Sequence, residues 1–233
     1  EAKWIDSLDA YDRQTMQAQI PNISCRVQLP NYFYIPSDLY YTYGPILSRE
    51  IINKGKMAAL NEALGEYKRT GLTNLPTSEQ IYSSEKYFAN ERYDVIEIAD
   101  VEIGNFELID EGTIGSLDIV YLLQDTIGPI PAITAAVGIG GGSWKDYVDP
   151  SGNLVMTVKI SGDTSADLDE IYDAYILWGD TQKRFTEVVE QYNGLIYKGS
   201  TNVWISKQNG FVKMVLSQDL NIIDEISSQL GDL

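Results

Sequence analysis

Asp163, Asp167, Asp169 and Glu170 form the densest acidic group in the chain, and Glu97, Glu102 and Glu107 recur along one face of a strand-like stretch. Carboxylates so placed suit a hard cation, or share a proton when two of them crowd together. Two of Glu97, Glu102, Asp163 and Asp167 could also hydrolyse a glycoside, which needs carboxyls about 5–5.5 Å apart for retention or about 6.5–9.5 Å for inversion. Plainer accounts exist for both groups. The first opens a helix, whose dipole favours negative charge by about 0.3–1 kcal/mol per residue, and it lacks the twelve-residue pattern of an EF-hand loop. The second reads as a solvated outer face. No catalytic residue, metal or cofactor is therefore assigned.

Histidine is absent. That removes Ser-His-Asp and Cys-His catalysis, histidine-ligated zinc or haem, and any histidine pH switch. The single cysteine, Cys25, lies in the alternation Cys25-x-Val27-x-Leu29 and reads as a core strand residue. It allows no internal disulfide and leaves the redox compartment open.

The stretch 126–144, TIGPIPAITAAVGIGGGSW, holds no charge. Its Gly138-Ile139-Gly140-Gly141-Gly142-Ser143 has serine where a dinucleotide loop needs the third glycine, and no Gly-Lys-Ser/Thr follows to make a phosphate loop. Pro129, Pro131 and five glycines also make poor material for a membrane helix. Two readings stay open. One is a buried segment followed by a glycine turn. The other is an apolar, flexible loop, ordered by contact with a neighbouring subunit or a lipid surface, with Ile130, Ile133, Val137, Ile139 and Trp144 as contacts.

A second aromatic-rich segment precedes it. Tyr32, Phe33, Tyr34, Tyr40, Tyr41 and Tyr43 crowd between Pro30 and Pro45. Tyrosine pairs a rigid face with a polar tip, so this segment suits a protein interface or sugar stacking, or covers its own core.

The elements that position these groups follow from periodicity. Trp4, Ile5, Leu8 and Tyr11 share one face of a helix over 1–20, either an arm on a neighbour or a helix folded back. A helical region begins at Ser48. Over 56–70 its apolar face is Met57, Leu60, Leu64 and Tyr67, with a cap at Gly71. Thr77 to Gln80 fits a capping box for a helix to about Ala89. From Tyr93 the period becomes two, which predicts strands through Leu108, and 114–123 predicts another.

Asp149-Pro150-Ser151-Gly152 is a turn, and 154–161 a half-buried strand. Thr164 or Ser165 caps a helix carrying Leu168, Ile171, Tyr172 and Tyr175. Phe185, Val188, Val189 and Tyr192 continue its pattern past Gly179. Asn209-Gly210 closes a hairpin pairing Ile205 with Met214 and Val203 with Leu216, and 219–230 forms a short helix.

The fold class is α+β: an antiparallel sheet from about residue 93 onward, helices packed on one face, and a mainly helical N-terminal third. The divisions are a helical arm at 1–22, a helical part at 23–92 and a strand-led part at 93–233, with 23–233 as one continuous domain the alternative. A net charge of −17 and a pI near 4.2 argue against nucleic acid or anionic membrane as partner. No transmembrane segment is expected.

These features point to a non-enzymatic structural or interaction subunit of a larger assembly, a virion or a cell-surface complex. It would self-associate through the apolar loop and aromatic segment as a homo- or hetero-oligomer. A virion or extracytoplasmic setting is favoured over a cytoplasmic one. The alternatives are an extracytoplasmic module binding a sugar or peptide at the tyrosines, and a carboxylate-dependent hydrolase.

Overall fold

The computed structural model describes residues 39–70 and 76–231, all within one compact unit. The terminal helix at 1–20, the Cys25 strand and the Gly71 cap lie outside the described residues. A π-helical turn, Leu39–Tyr43, leads into α1, Gly44–Thr70. The helices α2, Ser78–Tyr82, and α3, Ser84–Ala89, follow. Thr77 caps α2 as expected: its hydroxyl accepts the Gln80 N–H while the Gln80 side chain accepts the Thr77 N–H.

One antiparallel sheet of seven strands organises the rest, in the order β1-β2-β3-β7-β6-β5-β4. These are β1 Glu107–Thr113, β2 Ile139–Val148, β3 Leu154–Gly162, β4 Glu187–Gln191, β5 Gly194–Lys198, β6 Asn202–Gln208 and β7 Phe211–Ser217. The α+β class holds. Helices α4 (Ser116–Ile127), α5 (Pro129–Val137) and α6 (Ser165–Thr181) cover one face, where Ile119, Leu123, Ala136 and Ile171 meet Val158, Ile160, Ile205 and Met214. On the other face α7, Leu220–Gly231, sets Ile223 and Ile226 against Trp204 and Val215. Strand alternation feeds both layers, so β3, β6 and β7 are buried on both sides. Lys213, on the α7 side, is buried and donates to the Leu230 carbonyl at 2.6 Å, tying down the last turn of α7.

Four expected elements take a different form. The uncharged stretch is neither a loop nor a segment ending in a glycine turn: it is the end of α4, all of α5 and the start of β2. Pro129 and Pro131 sit in the first turn of α5, where a missing N–H costs no helical bond. Gly140, Gly141 and Gly142 lie inside the buried strand β2. A side chain on Gly141 would run into the Asp94 carbonyl, and the Asp94 N–H donates to Gly140 O at 2.5 Å. These glycines permit close approach of a covering segment rather than flexibility.

That covering segment, 91–106, replaces the strands expected from residue 93, and the sheet begins at 107. Ile98, Val101 and Ile103 are buried, but the segment is not paired into the sheet. The stretch 114–123 is not a strand but enters α4, because its buried positions Ile119, Val120 and Leu123 follow helical spacing. The Asp118 carboxylate accepts the Gly115 N–H at 2.8 Å and the Ser78 hydroxyl accepts the Leu117 N–H at 3.3 Å, capping its start.

Phe185 to Tyr192 does not continue α6. That helix runs straight through Gly179 and stops at Thr181. Beyond it comes β4, joined to β5 by Tyr192 and Asn193 at φ 54° and 52°, a pair of left-handed residues that suits a tight hairpin. The hairpin at Asn209-Gly210 has the expected register, Ile205 opposite Met214 and Val203 opposite Leu216.

Candidate functional site

Outward-facing apolar side chains mark the first candidate surface. Within α1, Leu47 and Ile51 are buried, but the backbone breaks at Gly55 and at Lys56, whose φ is +58°. No side chain from Asn53 to Gly65 is buried, and Met57 and Leu64 are 44% and 55% exposed. Met57, Leu60 and Leu64 share a face at spacings of three and four. The helix therefore turns an apolar stripe toward solvent. Among the described residues, no helix is long and apolar enough to cross a membrane.

The candidate contact residues scatter. Trp4, Leu8, Tyr11, Tyr32, Phe33 and Tyr34 lie outside the described residues. Tyr40 and Tyr41 are exposed, while Tyr43 stacks edge-to-face on Tyr82 at 4.8 Å. Ile130 is 79% exposed on the outer side of α5. Ile133 and Val137 are half-buried. Ile139, expected as a contact, is instead buried in the core at the start of β2. Trp144 turns into a cavity.

That cavity, of about 260 Å³, lies between the sheet and α4 and α6. Two rows of side chains across the strands form its floor. Trp144, Val158 and Met214 make one; Met156, Leu216 and Val203 make the next. Trp178 of α6, Leu122 of α4 and Arg184 complete the walls. Gly112 stands opposite Trp144, and a Cβ there would come within 2.8 Å of its indole nitrogen. The missing side chain lets the indole lie across β1.

A third feature joins four separate segments. Lys86 on α3 donates to Glu79 at 2.7 Å, to Glu91 at 2.5 Å, and to Asp163. The three carboxylates bring oxygens within 4.8 Å of one another, the spacing of a cation site, but the Lys86 amine occupies their centre. Burial pushes the Glu79 carboxyl up to about 7, against the opposing pull of Lys86. Burial alone would lower the Lys86 amine, but its bonds to Asp163, Glu79 and Glu91 outweigh that and hold it above its ordinary value.

Two further acids of the group at 163–170, Asp167 and Asp169, are engaged locally or by another base, while Glu170 is exposed. Thr164 donates to Asp167 at 2.6 Å and Lys207 pairs with Asp169 at 2.6 Å. Glu97 and Glu102 belong to the covering segment on the α7 side, whose carbonyls are held by Lys159 and Gln229. Asp163 and Asp167 stand at the start of α6 on the opposite side. The four carboxylates thus fall into two groups rather than one cleft.

Sequence reasoning missed the Lys86 cluster because Asp163 joins it from 77 residues away, and the cavity because its walls come from separate elements. No family model, curated protein or solved structure matches the chain.

Proposed function

We propose that this protein is a non-enzymatic subunit of a larger assembly that associates with copies of itself through α1. The carrying observation is the uncovered stripe of Met57, Leu60 and Leu64 on a helix of unusual charge. By sequence, α1 holds Arg49, Lys54, Lys56, Lys68 and Arg69, five of the chain's 17 basic residues, and only three of its 34 acidic ones. Identical acidic bodies repel unless opposite charges meet.

A complementary surface exists on the same molecule. Tyr93, Val95, Leu108 and Ile109 are exposed apolar residues interleaved with Asp94, Glu97, Asp110 and Glu111. Ile96, Glu97, Glu111 and Gly112 line one depression, so the covering segment and β1 present a continuous face. A basic apolar helix on an acidic apolar face is a head-to-tail contact, which closes into a ring or extends as a filament. Strand addition is opposed, because both sheet edges carry carboxylates: Glu107, Asp110 and Glu111 on β1, Glu187 and Glu190 on β4.

Light scattering on the native protein tests this. The expected particle is larger than the 26.1 kDa chain and falls toward that mass in a Met57→Asp, Leu64→Asp double variant that keeps its circular dichroism. A wild-type particle of single-chain mass at every concentration overturns the proposal.

A further inference from the structure

We propose that the cavity between α4, α6 and the sheet binds a small planar apolar acid. Its one or two fused rings lie against Trp144 and Trp178, and its carboxylate meets Arg184. The site shares no lining residue with α1 and only Trp144 with the depression on the acidic face, so it does not rest on the association reading.

Size sets the first bound. A dry apolar cavity of about 150 Å³ accommodates benzene, and the space here is about 260 Å³, room for a second ring. Surface chemistry sets the next. The floor is wholly apolar, and indole and thioether groups (Trp144, Trp178, Met156, Met214) favour a flat, polarisable guest.

Charge narrows the class further. Arg184 lies over Trp178 at 5.2 Å and over Phe185 at 5.0 Å. Among the described residues it makes no ion pair, in a chain with twice as many acids as bases. A stacked guanidinium keeps its donor fork free for a carboxylate. Asp118, the other charged lining residue, forms no ion pair with Arg184, and its Oδ2 accepts the Gly115 N–H.

The test uses 2-naphthoate and its neutral analogue 2-naphthylmethanol, followed by calorimetry and by tryptophan emission. Saturable binding of naphthoate at one site is expected, roughly tenfold tighter than the alcohol. Arg184→Gln, at an exposed position, brings naphthoate down to the level of the alcohol. Leu216→Trp fills the floor and abolishes both. Absence of saturable binding overturns the proposal. So does equal affinity for the two probes, or naphthoate binding that survives Leu216→Trp. If Leu216→Trp fails to fold by circular dichroism, Arg184→Gln decides alone, and unchanged naphthoate affinity in it overturns the proposal.

Discussion

Glu79 is a carboxylate held where water barely reaches it, and this gives the protein a pH dependence that histidine usually supplies. In the folded chain its carboxyl titrates at about 7, against an ordinary value of 4.5. Between those values the native state holds a proton that the unfolded chain has released, so stability falls as pH rises from about 4.5 to about 7. Burial raises Asp163 too, which adds to the same trend. The thermal midpoint of the wild type is therefore expected to drop between pH 5 and pH 8, and to drop less in Glu79→Gln. Lys86→Met strips the counter-charge and should cost about 2–3 kcal/mol at pH 8 and clearly less at pH 5, where Glu79 is protonated. Identical losses at both pH values would show that the amine is not neutralising the cluster.

At the scale of an element, the close packing of α6 on the sheet depends on Gly179. A Cβ there would meet the Tyr197 ring at 2.5 Å, and that ring is fully buried with its hydroxyl 3.0 Å from the Asp180 carboxylate. Gly179→Ala should cost about 1–3 kcal/mol in urea unfolding, despite alanine's better helix propensity. Gly65→Ala in the exposed half of α1 is the contrast. Nothing lies within 4 Å of that position, and a gain of about 0.5–1 kcal/mol is expected.

The same glycine shows where sequence reading stops. Local rules were sufficient for the Thr77 and Thr164 caps, the Asp149 to Gly152 turn and the Asn209-Gly210 register, since each depends on neighbours in the chain. They failed where distant packing decides. The apolar pattern reads on past Gly179 to Tyr192, whereas the helix ends at Thr181 with Tyr197 packed beneath the glycine, and Gly141 reads as a turn or flexible loop until Asp94 is seen against it. Of the proposed functional surfaces, the stripe on α1 was legible as a helix face but not as an uncovered one. The cavity floor was half legible, since the β6–β7 register already places Val203 beside Leu216. Its tryptophan walls come from separate elements and carried no local signal.

For the whole molecule, the segregation of charge is the feature to test. Lys54→Glu with Lys56→Glu should abolish the proposed self-association. Mixing that variant with a Glu97→Lys, Asp110→Lys partner should restore association, read by sedimentation. Screening offers a second reading, because the Debye length shrinks from about 10 Å at 0.1 M salt to about 3 Å at 1 M. The particle should therefore become smaller as salt rises.

The order of the strands has a bearing on how the chain comes to be folded in a cell. β7 pairs with β3 on one side and β6 on the other, at the centre of the sheet. A growing polypeptide on the ribosome thus exposes the open flank of β3, buried on both sides when complete, until residue 217 has emerged. Closure of the sheet therefore waits for β7, and the nascent chain depends until then on whatever shields a bare hydrophobic strand.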